Sequence, residues 1–392
     1  MTDYFIIFGG GGIRGISYCG AYKALKEKKI NYTGLAGSSV GAVFASLLSV
    51  GYNEDEIFEI MSTNVINLFR DINIDFKKDI GFSKGNVFLE LIREKIEKKF
   101  YKDDYKKDSM PPVKFKDIDK KLVIFSVDLT NMKYVEFSSA KTPDFEIAKA
   151  VRASVSMPGL FTPYELDEKL YVDGDLLKAI PLWRVSDTIK NLDERIIEFR
   201  LEDNETSKRI ENSIEYINRV YNAICGFATD YIIDLYQEKD KFDYIKINTP
   251  DISVVDFLLP KEKKENLIKM GYKATSEYFR EFYPKKKKRL EEKYTKLFEK
   301  INTFQKEFTK NKFFNSYIAL CEVFMYLCEE KKYLDCAIVK KITNFKDNYM
   351  KNYKAINFLG FKSGIMLNKN EISKEILDII KVLTFKLEEL KH

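Results

Sequence analysis

Along most of the chain, short apolar runs of strand length alternate with stretches of helical periodicity; towards its end only the helical spacing remains. Tyr4-Phe5-Ile6-Ile7-Phe8 is a continuous apolar run, the pattern of a strand buried on both faces of a parallel sheet. It stops at Gly9-Gly10-Gly11-Gly12-Ile13-Arg14-Gly15, after which Ile16, Gly20, Ala21, Ala24 and Leu25 recur at helical spacing as far as Lys28. A second short run, Gly34-Leu35-Ala36, passes through Gly37-Ser38-Ser39-Val40-Gly41 into a helical run from Ala42 to Ser49. Asn53 and Glu56 have the spacing of a capping box for a helix reaching Met61. Gly85 to Phe100 predicts another, with Phe88, Leu91, Ile92 and Ile96 on one face. Tyr101 to Lys116 is charged, contains Pro111-Pro112 and reads as an exposed loop.

Lys121 to Val127 predicts a buried strand, with Lys133 to Phe137 as its partner. A helix is expected from Pro143 to Val155, ended by Pro158 and Gly159. Tyr164-Glu165-Leu166 and Leu170-Tyr171-Val172 read as a hairpin that delivers Asp173-Gly174-Asp175 to a loop. Ile196 to Phe199 and Tyr244 to Ile247 predict further strands. Between them Lys208 to Gln237 predicts a long amphipathic helix, whose apolar stripe serves either the core or the wall of a lipid cleft. Beyond Tyr283 the pattern is wholly helical, with one helix over Ile318, Cys321, Phe324, Met325 and Cys328. The last carries Ile372, Ile376, Ile379, Ile380, Leu383 and Leu387, with Asn370 as its cap. The expectation is an α/β domain over residues 1–283, built on a mostly parallel sheet, and an all-α extension over residues 284–392.

Composition and charge sharpen this picture. The chain of 392 residues has one histidine, His392, an expected frayed terminal residue; a Ser-His-Asp triad and a histidine zinc site are both disfavoured. Its five cysteines include no Cys-x-x-Cys pair, which suits a reducing compartment. No charged segment precedes a long apolar one, and the longest apolar stretch, Val40 to Val50, is too short to span a bilayer. The expected location is therefore cytoplasmic, with any membrane contact peripheral. Charge is uneven: residues 284–392 hold 24 Lys and Arg against 14 Asp and Glu, and the remainder 42 against 46. The basic part opens with Lys285-Lys286-Lys287-Lys288-Arg289. Such a cluster is a solvated helix face, a patch for anionic lipid, or a nuclear-localisation or nucleic-acid contact; nothing else in the chain points to base recognition.

Two glycine-rich turns carry candidate chemistry. The first joins a strand to a helix N-terminus, where unpaired N–H groups and the helix dipole favour negative charge. Gly10-x-Gly12-x-x-Gly15 also fits the dinucleotide fingerprint. The acid expected about 20 residues on is missing, however, since the second strand ends in Ala36-Gly37-Ser38-Ser39. No Gly-Lys-Ser/Thr closes the loop as in a P-loop. The second turn, Gly37-Ser38-Ser39-Val40-Gly41, lies between a strand and a helix, the setting of a nucleophile elbow, in which Ser39 is the exposed nucleophile and Ser38 a spacer. Taken alone it is equally an ordinary Gly-Ser turn. Joined with Asp173 in a chain without a usable histidine, the two turns describe a Ser-Asp dyad hydrolase.

Gly10-Gly11-Gly12-Ile13-Arg14-Gly15, Gly37-Ser38-Ser39-Val40-Gly41, Ala153-Ser154 with Pro158-Gly159, and Asp173-Gly174 resemble, in order and spacing, the motifs of the patatin-like phospholipases. The likeness runs from Tyr4 to about Tyr283. It implies a three-layer α/β/α fold and cleavage of acyl ester bonds in lipids, as by a phospholipase A or lysophospholipase. Ser39 would be the nucleophile and Asp173 the general base. The backbone N–H groups of Gly10, Gly11 and Gly12 would form the oxyanion hole, with the Arg14 charge nearby, and Gly37, Gly41 and Gly174 would shape the elbow and the base turn. No metal or organic cofactor is required. The expected partners are an acyl-ester lipid and an anionic membrane met through Lys285, Lys286, Lys287, Lys288 and Arg289, and no nucleic acid. A silent phosphate- or nucleotide-binding protein, or a membrane adaptor, on the same fold is the alternative. One position departs from the family pattern: Asp175 stands where Gly or Ala is usual, and either raises the proton affinity of Asp173 by like-charge repulsion or points to solvent.

Overall fold

Tyr4–Phe8 forms β1 at the centre of a mixed, mostly parallel sheet flanked by helices, and both of its faces are buried. Tyr4, Ile6 and Phe8 pack against helices, while Phe5 and Ile7, on the opposite face, are also fully covered. The computed structural model describes residues 3–62, 71, 81–177, 195–202, 210, 216, 239–358 and 361–391. Most of the long helix expected over Lys208 to Gln237, and also His392, lie outside the described residues. The chain divides into two compact units, Met1–Asp234 with Phe242–Phe279, and Leu235–Lys241 with Arg280–His392.

In the first unit β1 is followed by a 3-10 turn (Gly12–Ile16), α1 (Ser17–Glu27), β2 (Tyr32–Ser38), α2 (Val40–Ser49), α3 (Glu54–Ser62) and α4 (Asn86–Tyr101). Then come β3 (Lys121–Asp128), β4 (Lys133–Ser138), α5 (Ile147–Ser154), β5 (Tyr164–Leu166), β6 (Lys169–Asp173), β7 (Arg195–Glu202), β8 (Phe242–Asn248) and α6 (Lys261–Glu277). The strand order is β5-β6-β3-β2-β1-β7-β8, with β4 also paired to β3. Neighbours from β3 through β8 run parallel; β4, β5 and β6 pair antiparallel. Helices α1 and α6 approach so closely that a Cβ on Gly20 would lie 1.8 Å from the Ile268 carbonyl oxygen, which is why a glycine stands there.

The register around β3 decides where the chemistry falls. β4 pairs with Val123 to Asp128, so β2, on Gly34 to Ser38, and β6, on Tyr171 to Asp173, must share the other edge of β3. Ser38 lies opposite Phe125 and Asp173 opposite Ser126. The end of β2 therefore meets the end of β6, and the residues leaving the two strands converge.

Several local expectations need revision. α5 begins at Ile147, not Pro143, because the preceding segment hydrogen-bonds elsewhere: Lys116 N–H donates to the Pro143 carbonyl and Ile147 N–H to that of Val113. Within the expected exposed loop of residues 101–116, Val113 and Phe115 are buried in the main core. The Asn53 cap does form: Asn53 Oδ1 accepts from the N–H of Asp55 and Glu56, and Glu56 Oε2 accepts from Asn53 N–H at 2.8 Å.

The second unit contains α7 (Tyr283–Thr309), α8 (Phe313–Glu330), α9 (Cys336–Asn352), an antiparallel hairpin of β9 (Tyr353–Phe358) and β10 (Phe361–Met366), and α10 (Lys369–Lys391). The C-terminal region is thus helical, with a hairpin that the helical pattern hid. Asn370 lies inside the first turn of α10, so it is not the cap. Leu290, Tyr294, Leu297, Ile301, Phe304 and Phe308 line the buried face of α7. The same face takes in Lys286, so one member of the basic cluster is buried, while Lys285 and Lys288 are exposed and Lys287 and Arg289 half-buried. A buried ion pair joins Lys386 of α10 to Asp240 at 2.7 Å, and the Tyr294 hydroxyl donates to the same carboxylate at 2.8 Å.

Candidate active site

The carboxyl ends of β1, β2 and β7, together with the turn after β6, form one cluster at the edge of the parallel sheet, the usual ligand position in open α/β folds. Ser39 follows β2 directly and has φ 52 and ψ −127. A non-glycine residue is held there only when its surroundings over-determine it, at a strain of about 1–3 kcal/mol. The restraints are visible. Ser39 N–H donates to Ser154 Oγ at the end of α5 (2.9 Å), and α2 begins at the next residue, its Ala42 N–H donating to the Ser39 carbonyl. Gly37 and Gly41 are needed because the strand and helix touch: a Cβ on Gly41 would lie 2.0 Å from the Phe8 carbonyl oxygen, and one on Gly37 2.2 Å from that of Gly41.

Ser39 Oγ donates to Asp173 Oδ2 at 2.7 Å. The other carboxylate oxygen of Asp173 accepts the Asp175 N–H at 2.7 Å, and Asp173 N–H donates to the Ser156 carbonyl. A Cβ on Gly174 would meet the Phe125 carbonyl oxygen at 2.1 Å, so the base turn can lie against β3 only with glycine in this place. Asp173 is fully buried. Burial first, and then the neighbouring Asp175 carboxylate, push its pKa up to about 7, against the smaller opposing pull of the hydrogen bonds from Ser39 and Asp175. The like-charge repulsion from Asp175, one of the two expectations for that residue, is thus present, but burial is the larger cause, and the setting makes Asp173 a competent proton acceptor near neutral pH.

The glycine turn lies beside this pair. Tyr18 of α1 holds its start by donating to the Gly9 carbonyl at 2.7 Å, and Ile13 N–H donates to the Val254 carbonyl. Gly11 and Gly12 take positive φ of 147 and 57, which brings successive N–H groups round the turn. Gly10 differs: its N–H donates to Asp175 Oδ1 at 3.3 Å, so of the three expected oxyanion donors this one is already engaged. Arg14 is buried, with Nε donating to the Gly11 carbonyl, so it braces the turn while carrying charge near it.

Asp175 does not point to solvent. Its Oδ1 also accepts from Ser38 Oγ at 3.2 Å and from Arg200 Nη1 at 2.7 Å, and Arg200 Nε donates to Glu198 Oε1 at 2.7 Å. Ser154, Ser156, Glu198 and Arg200 had no assigned role in the sequence reading. The readable signal was in β7, where Glu198 and Arg200 alternate with the fully buried Ile197 and Phe199: two opposite charges on one face of a covered strand.

Residues 6–185 match the family model described as Patatin-like phospholipase. Over these residues the chain carries a patatin-like phospholipase domain, of a family whose members are generally lipid hydrolases. YqhO of Bacillus subtilis is 25% identical over 301 residues, covering 70% of this chain and 98% of its own. The protein named "Probable lipid hydrolase 463L" of Invertebrate iridescent virus 6 is 28% identical over 182 residues, covering 45% of this chain and 61% of its own. Among solved structures, VipD from Legionella pneumophila aligns with a TM-score of 0.46 at 15% identity, over 100% of this chain and 88% of that one.

Proposed function

We propose that the first unit is a lipid acyl hydrolase of the phospholipase A or lysophospholipase type, acting through Ser39 and Asp173. The observation that carries this reading is the 2.7 Å hydrogen bond from Ser39 Oγ to Asp173 Oδ2 on a strained elbow. As Ser39 Oγ attacks an ester carbonyl, its proton passes to Asp173 Oδ2. The carbonyl oxygen becomes an oxyanion and takes the N–H groups of Gly11 and Gly12, each such donor supplying about 2.7–4 kcal/mol. Collapse breaks the ester bond, and the leaving alkoxide takes the proton from Asp173. A water molecule then gives a proton to Asp173 as it attacks the acyl-Ser39 carbonyl; collapse breaks the bond from Ser39 Oγ to the acyl carbon, Oγ takes that proton back from Asp173, and the fatty acid leaves. The lipid-hydrolase name borne by the viral relative supports this substrate class.

Contact with an anionic membrane is assigned to Lys285, Lys287, Lys288 and Arg289 of α7, Lys286 being buried. No helix among the described residues is long and apolar enough to cross a membrane, so the proposed contact is peripheral. The test is fatty-acid release from mixed phospholipid vesicles by the intact chain: Ser39→Ala and Asp173→Asn should each abolish it while leaving the fold intact. Undiminished release by either variant sinks the mechanism.

A further inference from the structure

Among the described residues, Asp175 is the one acid whose side chain touches three separate parts of the site, and it stands where the family pattern has no side chain to do so. Through Oδ1 it takes Gly10 N–H of the glycine turn, Ser38 Oγ of the elbow and Arg200 Nη1 of β7. Through its own N–H it holds Asp173 Oδ1. The packing is as close as the hydrogen bonding: a Cβ on Gly10 would lie 2.6 Å from Asp175 Cγ, so the glycine turn lies directly on this carboxylate. A buried carboxylate bears such a position only if its charge is compensated, and Arg200 does so, being itself fixed by Glu198.

Resting on the dyad reading above, we propose that Asp175, seated on Arg200, is a positioning residue that clamps the glycine turn to the elbow and to the base turn. The clamp fixes the spacing between the Ser39–Asp173 pair and the oxyanion donors Gly11 and Gly12. It also explains why Gly10 N–H is not a donor to substrate: it anchors the turn instead. The same carboxylate adds its charge to the burial that holds the Asp173 proton. Among the described residues, the other ionisable groups facing the cluster are Arg14 of the 3-10 turn, Tyr18 of α1, Tyr134 of β4, Glu198 and Arg200 of β7, and Tyr244 of β8 beside Arg200. Burial raises Tyr18 and Tyr134 far above their ordinary range, so they stay neutral, and Arg200, beside two acids, stays charged.

Two variants separate clamp from charge. Asp175→Gly keeps the backbone N–H to Asp173 and removes the clamp. Asp175→Asn keeps the shape and an acceptor oxygen for Gly10 and Ser38 but removes the charge. The measurements are kcat and KM on a soluble ester from pH 5 to 9, and the rate of Ser39 phosphonylation by a fluorophosphonate. For Asp175→Gly the expected result is a fall of about 10- to 100-fold in kcat with KM nearly unchanged, matched by slower phosphonylation. For Asp175→Asn it is a smaller loss, with the acid limb of the kcat profile moved to lower pH. Should Asp175→Gly not fold, the acid limb of Asp175→Asn decides. An unmoved acid limb in Asp175→Asn, or wild-type kcat in Asp175→Gly, makes Asp175 a space-filling residue and overturns the proposal while leaving the dyad standing. A wild-type chain whose Ser39 does not react overturns both.

Discussion

Replacing Asp173 by Asn should stabilise the protein at alkaline pH while removing its proposed activity. The side chain keeps its volume, and its amide can still meet Ser39 Oγ and the Asp175 N–H, so the chief change is a charge that can no longer form. The Asp173 pKa is pushed from the ordinary 3.8 up to about 7 by burial and by Asp175. Below pH 4 the carboxyl is protonated in folded and unfolded chains alike, and wild type and variant should differ little. Between pH 4 and 7 the unfolded chain gives up the proton while the folded one keeps it, so wild-type stability falls as pH rises. Above pH 7 the full difference remains. Each pH unit between the two values is worth about 1.4 kcal/mol, which gives a gain for Asp173→Asn on the order of 4 kcal/mol at pH 8. The assay is thermal unfolding of both proteins from pH 4 to 8.5, followed by a probe of the first unit. The Tm difference should open with pH and reach on the order of 10 °C. A difference that stays constant across this range refutes the reasoning, because it means that Asp173 is not held protonated by its site.

Two other perturbations test different links. Gly41→Ala brings a methyl group to 2.0 Å from the Phe8 carbonyl oxygen, and the elbow must move to admit it. We expect a loss of about 1–3 kcal/mol by thermal or denaturant unfolding together with loss of esterase activity; an unaffected, active variant contradicts the close packing of α2 on β1. Replacing the exposed Lys285 and Lys288 by Gln should weaken sedimentation with anionic vesicles by about 1 kcal/mol each, near fivefold per residue, and leave turnover of a soluble ester unchanged. Equal partitioning of the variant and the native chain removes the membrane role of this helix.

Much of this architecture was legible because its signals are local. The apolar run of β1, the Gly-x-Ser-x-Gly turn and the hairpin before Asp173 each announce themselves within about ten residues, and the glycines report backbone contacts that no other residue allows. What was hidden is non-local. That β2 and β6 share one edge of β3 is a matter of register, and it is register that brings Ser39 to Asp173. The direction of Gly10 N–H depends on Asp175, whose place depends in turn on Arg200 in a strand on the far side of β1. The raised pKa of Asp173 follows from burial, which no spacing reveals. In the second unit the hairpin of Tyr353 to Met366 lies between two helices, and its apolar residues did not break the helical pattern. Lys286 shows the limit of reading charge runs, since a helix carries successive residues about 100° apart and one of five lysines and arginines in a row must face inward when its neighbours Leu290 and Tyr294 do.

The proposed activation of Ser39 by Asp173 is tested most directly by exposing the intact protein to a fluorophosphonate at pH 8 and locating the adduct by mass spectrometry of the protein and its peptides. One adduct is expected, on Ser39, absent from Ser39→Ala and formed far more slowly in Asp173→Asn. Absence of an adduct, or equal labelling of Ser39 in Asp173→Asn, contradicts it.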